Sequence, residues 1–156
     1  MAENGKQILR MEGISKRFGG VNALEDVDFD INFGEVHALV GENGAGKSTL
    51  IKVLGGIIPR NAGRIIFDGR EVEYTRPIEA LSAGISIIHQ ELSLMPELNV
   101  IENIYMGRMK SRMGVLNWRD LRRQTMEAMA LINLRVDPQA KVSDLTISQR
   151  QLIEIA

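Results

Sequence analysis

A glycine-rich loop followed by a lysine and a serine holds the clearest chemistry in this 156-residue sequence. Positions 41–48 read Gly-Glu-Asn-Gly-Ala-Gly-Lys-Ser and match the pattern G-x-x-x-x-G-K-S/T. Glycines let a backbone curl so that successive N–H groups point at one anion, and a helix that begins at the lysine aims its positive end at the same place. The pattern predicts a site for a purine nucleoside triphosphate and Mg²⁺, without distinguishing a kinase from a GTPase or a transport ATPase.

Three polar side chains at the end of this loop could contact the ligand directly. Lys47 can bridge the β- and γ-phosphates, and the Ser48 hydroxyl can ligate Mg²⁺. Thr49 is placed to help hold the α-phosphate. The alternative is a chance glycine turn, which is disfavoured because a strand-like segment precedes the loop and a helix-like segment follows it.

The elements that must position the loop can be read on both sides of it. Residues 36–40 form a nearly continuous apolar run, which is typical of a fully buried parallel strand, and residues 85–88 form a second one. Residues 47–54 read as a helix that ends at Gly55 and Gly56. This order of strand, glycine loop and helix predicts an α/β fold.

Further strands precede and follow this core. A strand is predicted over 8–14, and alternating apolar and polar residues over 27–31 predict a half-buried antiparallel strand. Residues 64–67 and 71–73 flank Asp68-Gly69, which predicts a hairpin.

A helix is predicted over 77–83. Beyond residue 91 no further strand is predicted, and the pattern indicates a short helix after Asn99 through Met106 and a longer one over 118–131 after Asn117. For the last helix the candidate N-caps are Asp144 and Ser148.

Composition excludes several classes of function. Hydrophobic residues make up 44%, charged residues 25%, and the formal net charge is -1, which gives no electrostatic case for nucleic acid or an anionic surface. The absence of cysteine excludes a disulfide scaffold, a Cys-ligated metal and a thiol nucleophile. No apolar run is long enough to span a bilayer and the start is not a secretory signal, so a cytosolic protein is expected.

His37 and His89 have no carboxylate partner at ligand spacing, and structural roles are expected for them.

Three further stretches carry a family resemblance. Residues 16–24 read Lys-Arg-Phe-Gly-Gly-Val-Asn-Ala-Leu, residues 87–91 read Ile-Ile-His-Gln-Glu, and residues 144–151 read Asp-Leu-Thr-Ile-Ser-Gln-Arg-Gln. Together with the loop, and over about 8–156, they resemble the ATP-binding subunits of ABC transporters, in particular the tandem ATPases of bacterial sugar importers of the ribose, galactose, xylose and allose type. The fold class that this implies is an ABC-type P-loop NTPase, with an N-terminal antiparallel β-subdomain, an incomplete parallel core sheet and a helical subdomain.

The resemblance assigns roles to individual residues. Phe18 would stack on adenine, Gln90 would ligate Mg²⁺ together with Ser48 and orient the attacking water, and Lys47 and Gln90 would be the catalytic residues. The implied nucleotide-binding set is Phe18, Gly41, Glu42, Asn43, Gly44, Ala45, Gly46, Lys47, Ser48 and Thr49.

The third stretch is similar to the ABC signature, which contacts the ATP held by the opposite ATPase domain. Its residues here are Leu145, Thr146, Ile147, Ser148 and Gln149. Thr146 keeps a hydroxyl where the family has serine, whereas Ile147 and Ser148 replace two glycines. Because a β-branched residue cannot easily adopt a glycine-type backbone, the site completed by this signature is expected to be weakened or inactive.

The domain expected from the resemblance is a single ABC ATPase domain over 1–156, truncated at its C-terminus. Its parts are an antiparallel β part at about 8–35 and 63–75, a P-loop core at 36–58 and 77–90, and a helical subdomain at 91–150, in which 98–107 and 114–121 resemble the region that docks on membrane subunits. Related architectures insert strands between 36–40 and 85–88, so a gap in the sheet is expected. The family's catalytic strand ending in Asp-Glu does not follow the signature before Ala156, so negligible ATP hydrolysis is expected from this chain alone.

The implied function is an ATP-hydrolysing subunit, with ATP and Mg²⁺, that energises import of a monosaccharide from the cytoplasmic face of the cell membrane. Implied partners are ABC membrane subunits, a second ATPase domain (a tandem half or a dimer mate) and, indirectly, a periplasmic or extracellular sugar-binding protein, with no nucleic acid. The alternatives are a non-transport ABC ATPase, a P-loop kinase, and a nucleotide-binding fragment without turnover.

Overall fold

The structure, a computed structural model, describes residues 6–88, 93–107, 109, 111–112 and 115–156. The chain divides into two compact units, Met1–Ile87 and Ile88–Ala156. Each unit has its own hydrophobic core and is described separately.

The first unit is built on a four-stranded antiparallel sheet. Its strands are β1 (Gln7–Phe18), β2 (Val21–Asn32), β3 (Ala62–Phe67) and β4 (Arg70–Val72), in the order β2-β1-β3-β4. The predicted antiparallel strand over 27–31 is the second half of β2 and is confirmed. The strand predicted over 8–14 runs on to Phe18, because Phe18 pairs directly with Val21 across a two-residue glycine turn.

The predicted hairpin is confirmed as β3 and β4. Phe67 pairs with Arg70, and the two turn residues between them, Asp68 and Gly69, have φ angles of 47° and 74°. Positive φ at both central positions is the geometry of the tight hairpin turn that matches strand twist, which is why Asp-Gly is favoured there.

A helix packs on this sheet to form the first core. Helix α1 (Lys47–Leu54) is confirmed with the predicted bounds, and its residues Leu50, Val53 and Leu54 are buried. The buried apolar side chains of the sheet and the helix are Leu9, Met11, Ile14, Leu24, Leu50, Val53, Leu54 and Ile65. A second helix of this unit, α2 (Pro77–Ser82), lies within the predicted range.

The two strands predicted for the parallel part of the sheet are not formed. Residues 36–40 and 85–88 have no strand assignment, and Val36 and Val40 are 99% and 89% exposed. A fully buried parallel strand needs a neighbour on each side to satisfy its backbone and cover its side chains. No described segment pairs with either run. Residues 36–40 are all exposed, whereas Ile85 and Ile87 are half-buried and Ile85 packs against the core of the first unit.

The second unit is mainly helical. In the described ranges of this unit the helices are α3 (Val100–Ile104), α4 (Trp118–Leu131) and α5 (Ile147–Ile155), and Val142–Asp144 form a 3₁₀ turn. Their buried core consists of Val100, Met129, Leu134, Val142 and Ile153. None of the helices in the described ranges is long and apolar enough to cross a membrane.

Side-chain caps explain where these helices begin. Asn99 accepts a hydrogen bond from the Glu102 N–H at 2.9 Å and Asn117 accepts one from the Asp120 N–H at 3.2 Å, so both predicted N-caps are confirmed. The predicted caps of the last helix, Asp144 and Ser148, are wrong. Thr146 caps that helix instead, because Asp144 lies in the 3₁₀ turn and Ser148 is already the second helical residue.

A short hairpin also occurs where no strand was predicted. Strands β5 (Ser111–Arg112) and β6 (Val115–Leu116) pair antiparallel. Two residues per strand are too few to produce an alternating pattern, so the sequence carries no periodic signal for them.

Candidate phosphate-binding site

The glycine loop adopts a backbone that only some of its residues allow. Gly44 and Gly46 have φ angles of 88° and 86°, in the left-handed region that favours glycine. The Ala45 N–H donates to the Glu42 carbonyl at 3.2 Å, which closes a turn, and the Leu50 N–H donates to the Gly46 carbonyl at 2.9 Å, which begins α1. The loop therefore leads directly into the helix from a left-handed glycine.

Strand β2 supports the loop from one side. A Cβ atom added to Gly46 would lie 2.5 Å from the Ala23 carbonyl oxygen and 2.8 Å from a Leu24 methyl carbon. Such distances are shorter than van der Waals contact allows. Gly46 is thus required twice, by its φ angle and by the close approach of β2.

The first turn of α1 presents unpaired donors. Within the described part of the chain, the backbone N–H groups of Lys47, Ser48 and Thr49 have no acceptor, and no side chain caps the helix. The first turn also carries no acidic residue. Unsatisfied N–H groups and the positive end of the helix dipole together favour an anion at this point.

The Lys47 side chain folds back over the same loop. Its Nζ donates to the Gly41 carbonyl oxygen at 2.6 Å and to the Glu42 carbonyl oxygen at 2.7 Å. Ser48 is exposed, and its hydroxyl has no hydrogen-bond partner among the residues described. The loop, the ammonium group and the hydroxyl therefore lie together at one helix terminus.

Phe18 lies at the end of β1, 48% exposed. The Lys16 Nζ lies 5.1 Å from the centroid of its ring. Lys16 pairs with Leu24 across the hairpin, and Leu24 is one of the two β2 residues that contact the loop at Gly46. The hairpin thus connects the aromatic ring to the loop. Sequence reasoning gave Lys16 no role, because a single lysine beside an aromatic has no specific spacing signal.

Ser48 and Gln90 are the two predicted protein ligands of Mg²⁺, and only Ser48 lies in the described part of the chain. Gln90, together with His89, falls outside the described residues, so its predicted position stays a prediction. Ser48 is placed as expected at the start of α1. No cluster of three or more His, Cys, Asp or Glu side chains that could hold a metal occurs among the described residues.

His37 has a partner that the sequence analysis did not expect. Its Nδ1 lies 2.8 Å from the Glu35 Oε1, and its ring meets the edge of Phe29 at 5.0 Å between centroids. The pKa of Glu35 is held below its ordinary value, first by the hydrogen bond that its carboxylate accepts from the Asn32 N–H and second by the contact with His37. The expectation that His37 lacks a carboxylate partner is wrong, because the side chain of Glu35, two residues earlier, reaches the imidazole.

The predicted signature residues lie in the second unit, at the start of α5. The Thr146 hydroxyl accepts from the Gln149 N–H at 3.3 Å, and the Gln149 side-chain oxygen accepts from the Thr146 N–H at 2.9 Å. This reciprocal capping box fixes the first turn. Ile147 is 69% exposed at the first helical position, Ser148 is also exposed, and Leu145 packs on the core of the unit.

Solved structures define the class of protein to which this arrangement belongs. A nucleotide-free ATP-binding cassette of an ABC transporter superposes with a TM-score of 0.76 at 31% identity, covering 96% of this chain and 63% of that one. A cassette solved in its ADP conformation superposes with a TM-score of 0.79 at 29% identity, again covering 96% and 63%. The fold is that of an ATP-binding cassette.

The family model described as ABC transporter matches residues 24–156, and the chain belongs to this family. A ribose import ATP-binding protein of Rubrobacter xylanophilus is 50% identical over 151 residues, which are 97% of this chain and 30% of that protein. A galactose/methyl galactoside import ATP-binding protein of Fusobacterium nucleatum is 47% identical over 154 residues, which are 99% of this chain and 31% of that protein. The chain therefore spans less than a third of the length of these curated relatives.

Proposed function

We propose that this chain binds ATP and Mg²⁺ through the loop at 41–49, and that it is part of an ATP-hydrolysing subunit that energises monosaccharide import. The observation that carries the proposal is the start of α1. There a left-handed Gly46, three N–H groups that have no acceptor among the residues described, and the Lys47 ammonium converge. This is the arrangement that a triphosphate needs, because phosphoryl transfer depends mainly on positioning and charge neutralisation.

Lys47 is proposed to exchange its contacts with the loop carbonyls for the β- and γ-phosphates. Charged phosphate oxygens are stronger acceptors for an ammonium than neutral carbonyl oxygens. The two carbonyl contacts, at 2.6 and 2.7 Å, keep the ammonium at the loop beforehand. Nucleotide binding is therefore not weakened by the cost of ordering a distant lysine side chain.

Mg²⁺ fits the donors present at this site. The Ser48 hydroxyl is an exposed oxygen with no protein partner in the described ranges, and Mg²⁺ prefers such oxygen ligands together with substrate phosphates. Gln90 is proposed as the second protein ligand from the resemblance alone. When bound, the ion would neutralise phosphate charge, and Lys47 and Gln90 are the proposed catalytic residues.

The nucleotide is proposed to lie between Phe18, stacked on adenine, and the loop. A contact with the ATP of a second ATPase domain is proposed for residues 145–149. In that signature the exposed Ile147 side chain stands at the first helical position where the family has glycine, which supports a weakened second site.

The role in sugar import rests on the relatives. Both relatives described above carry import ATP-binding names, one for ribose and one for galactose or methyl galactoside. We propose membrane subunits, a second ATPase domain and, indirectly, a sugar-binding protein as partners, at the cytoplasmic face of the membrane. Residues 91–150 are proposed as the helical subdomain that docks on the membrane subunits.

Uptake of radiolabelled ribose, galactose and arabinose in cells tests this role. Replacing Lys47 by Ala in the chromosomal gene should abolish uptake of one sugar, whereas Lys52→Ala, at an exposed position of the same helix, should leave it unchanged. Unchanged uptake of every sugar in the Lys47 variant would show that this site energises none of them.

A further inference from the structure

Lys16, at 8% exposed, is the most buried charged residue in the described part of the chain. No carboxylate of that part lies within ion-pair distance of its ammonium. The Lys16 ammonium is not among the buried polar atoms without a partner in that part, so the hydrocarbon stem is covered while the ammonium keeps contact with water beside the ring of Phe18.

The Lys16 ammonium lies over the ring of Phe18. Lys16 and Phe18 are two residues apart in β1, so their side chains lie on the same face of the sheet. The ammonium lies 5.1 Å from the ring centroid, within the range of a cation–π interaction. The ring is nevertheless 48% exposed, which leaves room for a second planar group.

The backbone between Lys16 and Phe18 is held by Asn61, the residue that directly precedes β3. The Arg17 N–H donates to the Asn61 Oδ1 at 2.7 Å, and the Asn61 N–H donates to the Ser15 carbonyl at 2.8 Å. This pair of hydrogen bonds fixes the end of β1. The orientation of the ring then depends mainly on its own side-chain torsions and on the contact with Lys16.

We infer that Lys16 is a positioning residue for the nucleotide base: its ammonium covers one face of Phe18 and holds the ring so that the other face receives adenine. The inference rests on the proposed nucleotide binding. Holding the ring in its binding orientation beforehand reduces the ordering cost that the ligand would otherwise meet. Because Lys16 acts through the ring, it should affect the binding of the adenine base and not the binding of the phosphates.

The test compares two ligands, ATP and inorganic tripolyphosphate, by calorimetry on the 156-residue chain. The variant is Lys16→Met, which keeps an unbranched chain that suits a buried site but removes the charge. The matched control is Lys52→Met, which removes one charge from an exposed position. Lys16→Met should weaken ATP binding about three- to tenfold and leave tripolyphosphate binding unchanged, while Lys52→Met should change neither.

A double-mutant cycle with Phe18→Leu separates positioning from direct contact. In the Phe18→Leu background, Lys16→Met should cause no further loss of ATP affinity. Equal losses for ATP and tripolyphosphate would instead place the ammonium on the phosphates and overturn the inference, as would unchanged ATP affinity in the single variant. If the unmodified chain binds neither ligand, the proposed nucleotide site itself fails, and the role of Lys16 fails with it.

Fluorine NMR gives a second readout that needs no ligand. In a chain labelled with 4-fluorophenylalanine there are four resonances, and Phe18→Leu assigns one of them. Lys16→Met should shift that resonance and leave the other three in place. A spectrum identical to that of the unmodified chain would contradict the contact between the ammonium and the ring.

Discussion

The backbones of Gly46 and Ala23 approach each other so closely that no side chain fits between them. A Cβ on Gly46 would lie 2.5 Å from the Ala23 carbonyl oxygen. The glycine loop is therefore supported by β2 at Ala23, two residues after Val21, which pairs with Phe18 across the hairpin turn. This contact makes the shape of the loop depend on the antiparallel sheet.

Replacing Gly46 by Ala should damage the loop more than replacing Gly44 by Ala. Both glycines have positive φ angles, which cost an alanine about 1–2 kcal/mol, but only Gly46 also meets backbone atoms. At Gly44 no atom lies within 4 Å of the position that the alanine methyl group would occupy, so this glycine serves as the matched control. Urea unfolding of both variants measures the difference, and equal losses of stability would contradict the close approach of β2.

Isoleucines at two positions should respond very differently to truncation. Ile65 is 1% exposed in the core of the first unit, whereas Ile88 is 58% exposed. Ile65→Ala should lower the free energy of unfolding of this chain by about 2–5 kcal/mol, and Ile88→Ala should leave it nearly unchanged. Comparable losses in urea unfolding would mean that Ile88 is covered in solution.

Thr146→Ala should destabilise α5 by removing its N-cap. The hydroxyl that accepts from the Gln149 N–H would be lost, at a cost of about 1 kcal/mol. Thr146→Ser keeps this acceptor and should retain most of the stability. If both variants unfold at the same urea concentration as the unmodified chain, the capping box contributes nothing.

Glu79 should make the stability of the chain depend on acid pH. The Thr75 N–H and the Arg76 guanidinium lower the pKa of Glu79 from 4.5 to about 2. A depressed folded-state pKa contributes stability that is fully present above about 4.5 and is lost as the pH falls toward 2. Glu79→Gln should therefore flatten the pH dependence of unfolding in that window, and parallel pH profiles for the two proteins would contradict this.

Local signals in the sequence predicted the parts of the fold that depend on few residues. The Asp68-Gly69 hairpin, α1 and the caps at Asn99 and Asn117 are each determined by short-range backbone geometry and hydrogen bonds. The glycine loop was predictable for the same reason, since its positive φ angles occur at glycines.

Long-range contacts were not predictable in this way. The apolar runs at 36–40 and 85–88 have the composition of buried strands, but composition does not state which segment will pair with them. The contact of the Lys16 ammonium with Phe18 and the approach of Ala23 to Gly46 likewise depend on how segments pack in the folded chain. No short motif in the sequence encodes that packing.

Titration of the chain with ATP in the presence of Mg²⁺, for Lys47→Ala beside Lys52→Ala, tests the central claim most directly. Lys47 donates two hydrogen bonds inside the loop, whereas Lys52 is exposed in the last turn of the same helix. Losing a charged contact with phosphate should weaken ATP binding by at least about tenfold, and Lys52→Ala should bind ATP as the unmodified chain does. Equal ATP affinity in the Lys47→Ala variant and the unmodified chain would contradict the assignment of this loop as the phosphate site.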